Sequence, residues 1–213
     1  SALIVDVASM TVTPSPVSGE QVPVAMWSSA VYAGEGPDGA HQVLVAGGTD
    51  MKMTNDTVSA PIPPSGAFLY LLSVSEQGTS IQSVTMTADE TPHFKRVAAS
   101  LFDAGDGDYW LLGGVTSYTS DAEVCTGQTS GGCFPEAMAR FTLSGSEPTL
   151  QMVAEGVQGM SVGPLGARAI DLGDESSLIV GGLRSAGDDA LDGNAELVRY
   201  GSSASSLCAT TAP

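Results

Sequence analysis

The sequence predicts an all-β chain assembled from a repeated four-stranded antiparallel unit. Three observations carry this. Glycine and proline are abundant, 26 and 12 of 213 residues, against a usual combined share of about 12%, so many tight turns and short strands are expected. An apolar run closed by Gly-Gly occurs three times, at 43–48, 109–114 and 177–182, and Gly47, Gly113 and Gly181 stand 66 and 68 residues apart. One Gly-Gly is uninformative, but three at near-constant spacing mark a repeat. No stretch shows convincing 3.6-residue periodicity, whereas 80–86 and 149–153 alternate with period two, as a strand with one buried and one wet face does.

Each unit is justified in chain order. Its first strand is the apolar stretch ahead of a glycine- and aspartate-rich turn: 27–32 (from Trp27 to Val31 and Tyr32), 96–102 and 168–172. The second and third of these open on an arginine, Arg96 and Arg168, which reads as part of the repeat. Glycine and aspartate tolerate the positive φ of a tight turn, so 34–39, 103–108 and 173–175 are hairpin turns. The Gly-Gly runs are the second strands. Third strands follow at 67–74, 137–143 and 195–200, with an aromatic recurring as Tyr70, Phe141 and Tyr200. The alternating segments at 80–86 and 149–153 are fourth strands.

These units resemble kelch repeats, the four-stranded blades of a β-propeller, through the Gly-Gly pairs Gly47/Gly48, Gly113/Gly114 and Gly181/Gly182 and the aromatic of the third strand. The tryptophan that kelch repeats place about six residues past that aromatic is replaced by Glu76, Glu147 and Ser206. The resemblance is nearer to degenerate bacterial or galactose-oxidase-like propellers. It implies blades at 27–86, 96–153 and 167–213, and the outer two strands of a preceding blade at 1–18, about three and a half blades in a single propeller portion spanning 1–213. Closed propellers have about four to eight. An open fan exposes edges and apolar faces that folded proteins avoid. The expected partner is therefore another chain, or sequence before Ser1, that completes the ring, and Trp27, Val31 and Tyr32 are expected inside the first complete blade.

In such blades the connections between second and third strands share one face with the links between blades. Here those connections are long, 49–66, 115–136 and 183–194, and long loops on a rigid scaffold are a common seat of recognition. Cys125 and Cys133 bracket a glycine-rich polar loop. A local disulfide is the leading reading, over two idle thiols or half of a zinc site, since structural zinc wants a second Cys or His pair. The disulfide implies an exported compartment, secreted, periplasmic or cell-surface. Cys208 has no local partner and is expected in a final strand whose partner lies outside 1–213.

Composition excludes several functions. Seven Lys plus Arg against 24 Asp plus Glu give a net charge of −17, unsuited to phosphate backbones or anionic membranes. The longest apolar run, 67–72, is too short to span a bilayer. A galactose-oxidase-like copper centre needs more than His41 and His93, and no Gly-x-Ser-x-Gly elbow or sialidase box occurs. No catalytic residue or cofactor is assigned. The acidic runs Asp103/Asp106/Asp108 and Asp188/Asp189/Asp192/Asn194 have the oxygen ligands that suit Ca²⁺, or are simply solvated turn carboxylates. Asn55-Asp56-Thr57 is a sequon meaningful only in a eukaryotic secreted protein. The expectation is an exported, non-catalytic module that binds protein or glycan through its long loops. The alternative is part of a secreted oxidase or glycan-active enzyme whose catalytic residues lie elsewhere. The full-length sequence separates the two: a Tyr/His copper set or a carboxylate pair upstream favours the enzyme.

Overall fold

The computed structural model describes residues 2–20, 28–48, 53–54, 57–58, 68–88, 91–105, 107–114, 128–129, 132–133, 139–144, 149–155, 168–173, 176–180, 195–199 and 208–211. The chain is all-β, and its sheets do not close on one another. It opens on a hairpin of β1 (Ala2–Asp6) and β2 (Thr11–Ser15), in register from Ala2↔Ser15 to Asp6↔Thr11. The Asp6 carboxylate nucleates its turn by accepting from Ala8 N at 2.9 Å and Ser9 Oγ at 2.5 Å. Those bonds, Ser9 first, hold its carboxyl below the usual carboxylate range.

The first large sheet follows. β3 (Val17–Gly19) precedes β4 (Ser29–Glu35) and β5 (His41–Ala46), and a two-residue pair, β6 (Met53–Thr54) with β7 (Thr57–Val58), stands apart. Then come β8 (Leu69–Ser75) and β9 (Gly78–Ser83), giving the order β3-β9-β8-β5-β4. Four strands form an antiparallel meander. β3 runs parallel to β9 on its outer side, so Val17 and Ser18 belong to this sheet and not to the outer strands of a preceding one.

A single turn of helix, α1 (Thr91–Phe94), which no sequence pattern announces, leads to the second sheet. That sheet is β10 (Ser100–Gly105), β11 (Asp108–Leu112), β14 (Ala139–Ser144) and β15 (Thr149–Glu155), with the short pair β12 (Gln128–Thr129) and β13 (Gly132–Cys133) between β11 and β14. The third repeats the meander as β16 (Arg168–Gly173), β17 (Ser176–Val180), β18 (Ala195–Arg199) and β19 (Cys208–Thr211). The strand carrying Cys208 therefore pairs within the chain, Cys208 opposite Arg199, which corrects the expectation of an outside strand partner.

The first strands β4, β10 and β16 are neighbours in that order, so the sheets fan from a shared inner line. The core lies between the first two sheets. Leu44, Ala46, Leu69 and Leu71 of one face meet Leu101, Tyr109, Leu111, Ala139 and Phe141 of the other, with Phe94 from α1 edge-on to Phe141 at 5.1 Å. Alternation sends Phe102, Trp110 and Leu112 to the opposite face of the second sheet, also buried. Val31 packs against the core, but Tyr32 is 52% exposed, so only Val31 meets the interior expectation; Trp27 lies outside the described residues.

Two presumed equivalences fail. Arg168 is the first residue of β16 and pairs with Val180, next to Gly181. In the second sheet that position belongs to Ser100, which pairs with Leu112 beside Gly113. Arg96 lies four residues earlier, in the link, so the two arginines are not repeats of one another. Similarly, Tyr70 pairs with Val45, two residues before Gly47, whereas Phe141 pairs with Tyr109, four before Gly113. The aromatics share a strand parity but not a register; Tyr200 lies outside the described residues.

Candidate functional site

The long connections leave from the Gly-Gly ends, and the backbone there is unusual for a physical reason. Gly47 and Gly113 share φ +65°, and Gly48 and Gly114 have +104° and +85°, a region L-residues pay to enter. Space is equally restrictive. A Cβ on Gly47 would lie 2.3 Å from the Arg96 carbonyl oxygen, and one on Gly114 would lie 2.9 Å from the Val97 oxygen. Only glycine lets the sheet end approach the incoming link so closely. Gly181 and Gly182 lie outside the described residues.

Arg96 organises this end. Gly47 N donates to Phe68 O at 2.8 Å, which closes the base of the first long connection, and Gly48 N donates to Arg96 O at 3.3 Å. Its side chain reaches the second sheet, where Nη1 donates to Gly113 O at 3.2 Å. The residue is fully buried, and loss of hydration pushes its pKa down to about 9, still cationic at neutral pH. One residue thus ties the Gly-Gly ends of two sheets, and the connections beginning at 49 and 115 start side by side. Sequence reasoning noted Arg96 but missed this role, because the contacts are to backbone carbonyls and amides that leave no residue signature.

Within the first connection, Thr54↔Thr57 brackets Asn55 and Asp56, which lie outside the described residues, as does most of that loop. In the second, the backbone of Cys133 pairs with Gln128. Cys125, the Cys133 side chain and hence the expected disulfide lie outside the described residues, as do 183–194 with Asp188, Asp189, Asp192 and Asn194.

The remaining candidates do not converge. His41 starts β5 at the end opposite Gly-Gly, where its Nδ1 is 3.0 Å from the Tyr32 hydroxyl and 4.0 Å from Glu35 Oε1, in an exposed cluster. His93 sits in α1. Among the described residues no group of three or more His, Cys, Asp or Glu is placed to hold a metal. Of the first acidic run, Asp103 accepts from Gly105 N at 2.8 Å, and Asp108 is ion-paired with Arg140 through Nε at 2.9 Å and through Nη2. Arg140 in turn lies over the Trp110 ring at 5.6 Å. Asp108 is thereby committed to a cation of the protein's own; Asp106 lies outside the described residues. A shallow cavity of about 240 Å³, lined by Pro16, Ser18, Asp38, Ser75, Gln77 and Thr79 among others, opens on the outer side of the first sheet.

No protein-family profile matches the chain, and no curated protein does. Among solved structures it is similar to a chain of a RAG complex with one melted and one unmelted RSS, at 13% identity and a TM-score of 0.62. The likeness covers 94% of this chain and 51% of that one, so this chain spans about half the length of its structural neighbour. At that identity the likeness is one of fold.

Proposed function

We propose that the chain is part of a kelch-like β-propeller, about three and a half blades, acting as an exported, non-catalytic module that binds protein or glycan through the connections at its Gly-Gly end. The observation that supports this most directly is the Arg96 clasp. Two long connections start from one rigid, buried junction, and a pre-positioned base lowers the ordering cost of binding. Three meanders sharing an inner line, and a structural neighbour about twice as long, support further blades supplied by other polypeptide. Export rests on the Cys125/Cys133 spacing.

The test is loop replacement. The chain and a variant with 115–136 replaced by a four-residue Gly-Ser link are compared on a printed glycan array and against an array of extracellular protein ectodomains. Saturable binding by the chain that the variant loses supports the reading. No binding by either, or equal binding by both, overturns it.

A further inference from the structure

The opening hairpin and the outer hairpin of the first sheet have the same register, displaced by 68 residues. Ala2↔Ser15 corresponds to Tyr70↔Ser83, Leu3↔Pro14 to Leu71↔Gln82, Ile4↔Thr13 to Leu72↔Ile81, and so on to Asp6↔Thr11 and Val74↔Thr79. The displacement also holds beyond the strands. Val17, two residues past β2, pairs in parallel with Thr79 of β9; Thr85, two past β9, pairs in parallel with Thr149 of β15. The β1–β2 hairpin therefore stands to the first sheet as β8–β9 stands to the second.

One thing differs. β8 has β5 on its inner side, whereas among the described residues β1 pairs only with β2. Its apolar residues show the consequence: Leu3 is 64% exposed and Val5 61%, while Leu71, the counterpart of Leu3, is 7% exposed. Val12, opposite Val5, is 57% exposed.

We infer that the free edge of β1 is a docking site for a β-hairpin of the repeat's own inner type, carried on polypeptide outside residues 1–213, whose second strand ends in Gly-Gly and adds antiparallel to Ala2–Asp6. A second copy of the chain does not supply it. Each copy holds three inner hairpins (β4–β5, β10–β11 and β16–β17), all already paired with outer strands of their own sheets. Lending one would vacate another site. The register is specified too: Val43 opposes Leu72 in the first sheet, so the incoming residue equivalent to Val43 faces Ile4.

The inference deepens the assembly part of the proposed function and rests on the series of sheets, not on ligand binding by the loops. A failed loop-replacement test leaves it standing, and its own failure leaves the loops untouched. The experiment places a copy of residues 29–68 directly before Ser1, which preserves the 68-residue displacement because Ser1 corresponds to Leu69. Hydrogen exchange of Ala2–Asp6 is expected to slow at least tenfold. With Ile4→Cys in the hairpin and Val43→Cys in the copy, oxidation is expected to give that disulfide at least tenfold over pairs with Gln42→Cys or Leu44→Cys in the copy. Unchanged exchange at 2–6, or cross-linking without preference for position 43, overturns the inference. Should the fusion lose exchange protection at 69–83, the peptide 29–48 added to the intact chain replaces it; slowed exchange confined to 2–15 supports the inference and unchanged exchange overturns it.

Discussion

Gly47→Ala is expected to destabilise the protein by about 3–5 kcal/mol, and Gly34→Ala by about 1 kcal/mol. An L-residue at positive φ costs about 1–2 kcal/mol, a term both positions share, since Gly34 sits at +94° and Gly47 at +65°. If anything the backbone term is harsher at Gly34. The surroundings differ. A Cβ at Gly34 meets nothing within 4 Å, whereas one at Gly47 lies 2.3 Å from the Arg96 carbonyl oxygen, about an ångström inside ordinary contact. That oxygen belongs to backbone held in a buried link and cannot swing away. Overpacking of this kind costs about 1–3 kcal/mol, and displacing the link also strains the Gly48 N to Arg96 O bond, about 1 kcal/mol net. Urea unfolding followed by tryptophan fluorescence reads both variants, with Trp110 buried as reporter. A Gly47→Ala midpoint within 0.5 kcal/mol of the Gly34→Ala value refutes the argument that contact, and not φ alone, dictates the Gly-Gly.

Non-reducing peptide mapping should find Cys125 bonded to Cys133, a closure worth about 2–3 kcal/mol; both cysteines alkylated as free thiols would remove the basis for an exported compartment. Asp108→Ala should cost about 2–3 kcal/mol, because it leaves the guanidinium of Arg140 buried over Trp110 without its carboxylate; a change below 0.5 kcal/mol in thermal denaturation would show the pair to be ornamental. The phenols of Tyr70 and Tyr109 are both held above 10 by burial first, and by the carboxylates of Glu20 and Asp103 second. Their protons leave the unfolded chain first as pH rises through 10, so the folded state binds more protons there and stability falls above that pH, with no contribution below it. Ultraviolet titration of Tyr109→Phe should lose one late-ionising phenol; an unaltered late phase would contradict the assignment.

The repeat was legible in the sequence because its spacing is imposed by backbone. At Gly47, Gly48, Gly113 and Gly114 both φ and steric room demand glycine, so geometry writes itself into residue identity. The strand order of the meanders followed from turn residues and alternation for the same reason. What was misread is set by looser constraints. Arg96 and Arg168 looked equivalent because each opens an apolar run, yet Arg96 acts through backbone partners in a link that shows no residue pattern. Tyr70 and Phe141 looked equivalent because an aromatic on the same strand parity satisfies packing at either of two positions. β3 was folded into the preceding unit because three residues pairing in parallel with β9 carry no signal beyond extended propensity. Little of the candidate binding rim was legible beyond its location, since the specificity of a loop lies in side chains that no periodicity constrains.

The contacts between neighbouring sheets also set an order of folding. Ser15 Oγ lies 3.0 Å from Thr79 Oγ1, Leu101 N donates to Ser29 Oγ at 3.0 Å, and Tyr109 Oη donates to the Ala33 carbonyl at 3.4 Å, across sequence gaps of 64, 72 and 76 residues. Each gap is close to one repeat. Such contacts cannot form until two adjacent repeats exist, whereas the bonds inside a meander close over much shorter loops and so at lower entropic cost. Assembly therefore propagates between nearest neighbours, and on a ribosome each emerging sheet docks on the face its predecessor has just presented. The first sheet serves as the template for the second, and a lesion at their junction should delay every later step of synthesis-coupled folding more than the same lesion in the third sheet.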